Sequence, residues 1–171
     1  MCATLLILRA TELLTPDHGT KTATTLALGL YTAYNVAATV ASVPAGRLAD
    51  RRGVRGPLLV LTAGVAAFAV SYGLFAVSGA AIGFLAIPFV LAGVGIGAVE
   101  TAQHSAVAAL APQDLRGSAF GLLATVQSLG NLAASAVAGI LWTALSPTAA
   151  FAYLAAWMVL ALAGFACTAR R

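Results

Sequence analysis

Few side chains in this sequence could do chemistry, and their spacing limits what that chemistry would be. Glu100 closes a long apolar run, and a carboxylate in such a place is a candidate for binding a proton or a cation. It is expected about one turn from the helix end, where it could instead reach water or pair with a nearby arginine. Arg9 and Glu12 are three residues apart, the spacing of an ion pair on one helix face. His18 and His104 are isolated from each other and from any cysteine or carboxylate at ligand spacing, so no metal site is expected. Cys2 and Cys167 lie at opposite ends and suggest no disulfide framework. No serine elbow, phosphate-cradling loop or pair of carboxylates set for acid–base work occurs. Enzymatic chemistry therefore has no candidate residues, and no cofactor is implied.

Uncharged polar residues form a second set. Tyr31, Asn35 and Thr39 are spaced by four, as are Gln127, Asn131 and Ser135, so each trio falls on one side of its helix. Two readings stand: the stripes line a wet cavity between helices, or they hydrogen-bond one helix to the next. Gly93 with Gly97, and Gly117 with Gly121, are small-x3-small pairs that would let backbones approach closely. A nucleotide-binding reading of the glycines at 93, 95 and 97 fails, because they lie inside an apolar helix with no strand before them.

The elements that must position these residues follow from composition. Of 171 residues, 61% are hydrophobic and 8% charged, against roughly 25% charged in a soluble domain. That little charge cannot clothe a water-exposed surface, so the expected solvent is lipid. Crossing it takes about 20 apolar residues. Five runs qualify, at about 22–43, 57–77, 80–101, 117–143 and 147–168, preceded by a partial helix at 2–14 and a turn at 15–19. The expectation is one all-α membrane domain over 1–171, a polytopic helical bundle of five full transmembrane helices and a partial one. Ser78-Gly79 and Ser146-Pro147 read as tight turns, and Pro44 and Pro57 bracket a linker rich in arginine and glycine. Pro88, inside a run, is expected to bend its helix, either as a tolerated kink or as a gating hinge.

Basic residues set the orientation. With alternate loops on opposite sides, Arg47, Arg51, Arg52, Arg55, Arg116, Arg170 and Arg171 share one side, against Lys21 and Arg9 on the other. The positive-inside rule puts the arginine-rich side and the C-terminus in the cytoplasm, in a plasma (inner) membrane. The basic residues form no stripe with interleaved aromatics, so no nucleic-acid partner is expected.

Two segments resemble signatures of the major facilitator superfamily. The stretch from Pro44 to Arg55 is similar to the pattern G-x-L-[AS]-D-R-x-G-[RK]-[RK], matching at Gly46, Leu48, Ala49, Asp50, Arg51, Gly53 and Arg55 and departing at Val54. Pro112 to Gly117 is similar to the family's P-x-x-x-R-G loop, at Arg116 and Gly117. The resemblance covers nearly the whole chain and implies half of a major-facilitator fold, the partial helix being the seventh and the five runs the eighth to twelfth. It also implies that the chain is a truncated reading of a longer gene, or assembles with a missing N-terminal six-helix half.

The function so implied is secondary active transport, efflux of an unknown small-molecule substrate by alternating access. Tyr31, Asn35, Gln127 and Asn131 would line the cavity, Glu100 could couple an ion, and Gly46, Asp50, Arg51, Gly53, Arg55, Arg116 and Gly117 would form the cytoplasmic gate. For Asp50 the alternative to a lock is a static anchor. For the chain, it is a non-transporting fragment or assembly partner that keeps the half-fold.

Overall fold

The computed structural model describes residues 3–77 and 82–169. Cys2, the Ser78-Gly79 turn, Arg170 and Arg171 lie outside the described residues, as does the side chain of Cys167. The described residues are almost entirely helical: α1 (Ala3–Arg51), α2 (Gly56–Val77), α3 (Ile82–Leu110), α4 (Arg116–Ala144) and α5 (Pro147–Ala169), with 3-10 turns at Gly53–Arg55 and Gln113–Leu115. All five helices are long and apolar enough to cross a membrane. Backbone hydrogen bonds are then closed within each segment, which lipid demands because it offers none in return.

α1 is two helices joined at one residue. Gly19 has φ 72° and ψ 158°, a conformation essentially reserved for glycine. Helix fills the expected turn on both sides of it, Pro16 included. The first arm, 3–18, spans only about 24 Å and stays short of the ~30 Å hydrocarbon core. The second arm runs on through Pro44 to Arg51, so the expected linker at 44–56 is largely helix. Ala45 and Ala49 explain the extension: they are buried with Val60, Ala98 and Ala102, and packing on that inner face holds the helix together past the missing N–H of Pro44. The reversal itself needs only Arg52 to Arg55, where Gly53 takes φ 56°.

α3 is the spine. It packs against α1 and α2, and α2 in turn carries α5. Gly93 and Gly97 face the α1 backbone: a Cβ at either would run into the carbonyl of Tyr34 or Ala38. On the other side, a Cβ on Gly64 of α2 would stand 2.9 Å from the Gly95 carbonyl. Gly93, Gly95 and Gly97 thus pack helices, as expected for 93 and 97.

The half of the bundle away from the Gly53 turn is aromatic. Phe68, Tyr72 and Phe75 lie on one face of α2, and Phe75 meets Phe89 of α3 edge-on at 5.4 Å and stacks on Phe151 of α5 at 5.2 Å. Both arms of α1 add to this core, through Leu6, Ala10 and Leu14 and through Ala23, Ala27 and Tyr34. Pro88 is buried in α3, and its carbonyl accepts a 2.7 Å bond from the fully buried Ser71 hydroxyl of α2. The proline site is fastened to its neighbour.

α4 differs from the others. Ala138 is its one buried residue, and Leu122, Val126, Leu129 and Leu132 are all more than half exposed. Gly117 and Gly121, expected to pack a helix, have nothing within 4 Å of a built Cβ.

Candidate functional site

Tyr34 and Asn35 lie midway along the second arm of α1, and Gln127 and Asn131 flank the middle of α4. Glu100 also belongs at this depth. α3 continues to Leu110, which places the carboxylate roughly 15 Å of helix from that end and not one turn from it. The same extension puts His104, which lies beyond the expected run at 80–101, inside the helix.

These residues form one face across α1, α3 and α4. The Tyr31 ring stacks on Tyr34 at 5.5 Å, and the Tyr34 hydroxyl lies within Coulombic reach of Glu100. Glu100 is exposed on the chain surface, and the Arg9–Glu12 contact at 3.8 Å is the only ion pair among the described residues. One turn on from Glu100, His104 stacks on Phe120 of α4 at 5.7 Å. Its Nδ1 is 2.7 Å from the Glu100 carbonyl oxygen, which can only accept, so Nδ1 is the donor. Gln127 donates a 2.6 Å bond to Oε1 of Gln103.

The two polar stripes therefore behave differently. In α1 the Asn35 amide donates to the Tyr31 carbonyl at 2.8 Å and the Thr39 hydroxyl to the Asn35 carbonyl at 3.0 Å. Asn35 and Thr39 thus satisfy these donors on their own helix and are exposed. In α4 Gln127 ties helix to helix, and Asn131 and Ser135 also have partners. Gln103, His104 and Phe120 belong to this face and escaped the sequence reading. Their signal was the i, i+3, i+4 spacing of Glu100, Gln103 and His104, visible only once α3 extends past Thr101.

The charged turns gather at one end. Gly53 and Leu110 line the same cavity of about 540 Å³, whose wall is apolar except for Gln103, so the α1–α2 turn and the end of α3 are neighbours. Arg47, Asp50, Arg51, Arg52 and Arg55 are exposed there, and Arg116 and Gly117 are exposed at the start of α4. Asp50 makes no ion pair among the described residues. Gly53 is required by its positive φ, whereas a Cβ at Gly46 would only touch Thr101 at 3.6 Å.

Six helical segments, a polar face at mid-depth and charged turns at one end define an integral membrane protein of the polytopic helical kind. The chain belongs to the major facilitator superfamily, whose family model matches residues 3–171. It is 33% identical over 150 residues to an uncharacterized MFS-type transporter of Methanocaldococcus jannaschii, covering 86% of this chain and 35% of that protein. The chain thus spans about a third of the length of this relative. No solved structure matches it.

Proposed function

We propose that this chain is the C-terminal half of a secondary active transporter that exports small molecules by alternating access. The observation that carries the reading is the mid-depth face on which Asn35 and Glu100 are exposed and Tyr31 and Gln127 half-buried, because transporters built from repeated halves hold substrate near the bilayer midplane between them. An N-terminal six-helix half would cover this face. Tyr31, Asn35, Gln127 and Asn131 line the cavity, and Glu100 is the ion-coupling group. The turn end lies in the cytoplasm of the plasma (inner) membrane, where anionic lipid favours its arginines. Asp50, Arg51 and Arg116 act there as a gate, made and broken as the halves rock, with Gly46, Gly53, Arg55 and Gly117 shaping it. An exposed Asp50 without an ion pair among the described residues is free for a partner across the gate.

The test is efflux from vesicles by the complete transporter carrying Asp50→Asn. A fall in rate of about tenfold or more at unchanged expression is expected, since each tenfold corresponds to ~1.4 kcal/mol of lost stabilisation. An unchanged rate would remove the gate.

A further inference from the structure

We propose that the cavity at the α1–α2 turn seats an acyl chain of an anionic phospholipid, whose phosphate is held by the guanidinium groups of Arg52 and Arg55. The site is separate from the mid-depth face and does not depend on the transport reading. The cavity, of about 540 Å³, runs between Leu58 and Leu61 of α2 and Ala102, Ala106 and Leu110 of α3. It reaches the surface at the exposed Gly53 and Leu110 and ends inward at the buried Ala102. From Leu110 to Ala102 is about 12 Å of helix, so the inner end lies within the spanning segments and not in the turn. Packed protein holds few voids larger than a water molecule, and a space of this size in a bilayer needs a filler. Water is a poor one, because Gln103 is the polar side chain in an otherwise apolar wall and its Oε1 already accepts from Gln127.

The charges at the mouth select the head group. Arg52 and Arg55 stand on either side of Gly53, both exposed, and the exposed Arg47 and Arg51 add to the same end. Asp50 is the acid of this turn, and none of these arginines is in an ion pair among the described residues. Basic clusters beside spanning helices at the membrane surface attract anionic head groups, and a guanidinium can meet two phosphate oxygens at once. The tail contributes placement and not affinity, because passing from the bilayer into an apolar slot removes no further apolar surface from water. A free phosphate ester would satisfy the arginines and leave the cavity empty. An acidic peptide could fill it only by carrying unpaired backbone groups into lipid. A phospholipid does both and is already in the leaflet.

The experiment is photolabelling of the complete protein in phosphatidylcholine nanodiscs, doped with a trace of phosphatidylglycerol or of phosphatidylcholine carrying a diazirine on one acyl chain. The labelled peptides are then mapped. Label from phosphatidylglycerol is expected to concentrate on 57–61 and 102–110, about fivefold or more above label from phosphatidylcholine at the same positions. Arg52→Gln should cut that enrichment by about threefold to fivefold, and Arg52→Gln combined with Arg55→Gln should abolish it. Ala106→Phe, which puts a ring into the cavity, should remove label from 57–61 and leave label around the exposed Trp157 of α5 unchanged. Should these variants fail to fold, the wild type decides alone. Equal labelling by the two lipids overturns the proposal, and so does label no denser at 57–61 and 102–110 than around Trp157, the result expected where a helix from outside this chain fills the cavity. Displacement by excess soluble glycerol phosphate overturns it equally, since the site would then take a free phosphate ester. Enriched labelling together with an unchanged efflux rate in Asp50→Asn upholds the lipid site and removes the gate alone.

Discussion

α3 meets its neighbours in two ways. Toward α1 and α2 it is sealed by backbone approach at Gly93, Gly95 and Gly97, with small residues and rings filling what is left. Toward α4 it offers one amide bond and one ring stack, Gln103–Gln127 and His104–Phe120. At its other end α4 is held by the edge contact of Trp142 with Phe151 at 6.0 Å. Lipid tails are as apolar as leucine, so helices in a bilayer associate through packing and hydrogen bonds and not through burial of apolar surface. The first contact uses packing at close quarters and the second uses polar groups over an open gap. The transport reading proposed above would use both: a rigid block to rock, and a face loose enough to meet another half.

The sharpest way to break the sealed side is to put a side chain where only glycine fits. Gly93→Val or Gly97→Val drives methyl groups into the carbonyls of Tyr34 or Ala38, and backbone cannot retreat as a flexible side chain can. The expected loss is about 3 kcal/mol or more, at the upper end of overpacking costs, seen as loss of detergent-soluble, monodisperse protein on size exclusion. Phe75→Ala comes next. The ring is fully buried between Phe89 and Phe151, and in water such a truncation costs about 3–5 kcal/mol. In lipid the transfer part falls away and the cavity remains, so about 2 kcal/mol is expected in a helicity-monitored thermal melt.

Sequence and structure agree where solvent decides and part where neighbours do. The apolar runs announce the spanning helices because no other medium tolerates them. The glycines at 93 and 97 announce close packing because nothing else explains them inside a helix. Proline punctuation misled: Pro44 marks no helix end, since Ala45 and Ala49 find small partners on α2 and α3 and carry the helix to Arg51. The same oversight hid half of the site. Ending the third run at Thr101 left Glu100 and His104 at a boundary, whereas α3 continues to Leu110 and puts them on one face with Gln103. Gly117 and Gly121 have the pattern of Gly93 and Gly97 and none of their contacts, because a pattern cannot say whether a second helix is there.

Smaller effects belong to the loose side. A double-mutant cycle on Gln103→Leu and Gln127→Leu should return a coupling of about 0.6 kcal/mol, and no more than about 1.7, the range found for hydrogen bonds between membrane helices. Chemical unfolding in mixed micelles measures it. A coupling near zero would mean that the 2.6 Å bond holds nothing.

The smallest effect is expected at Gly117 and Gly121, and it is the most informative about the comparison. With open space around both, Gly117→Ala and Gly121→Ala meet no neighbour and gain helix propensity, so the chain should be unchanged or up to about 1 kcal/mol more stable. The same substitution at Gly93 would meet the Tyr34 carbonyl and destabilise. Measured side by side in thermal melts, opposite signs at 93 and 121 would establish that α4 has one face bare of helix. A loss at Gly121 equal to that at Gly93 would mean that α4 is packed as closely as α3, and the contrast between the two sides would be gone.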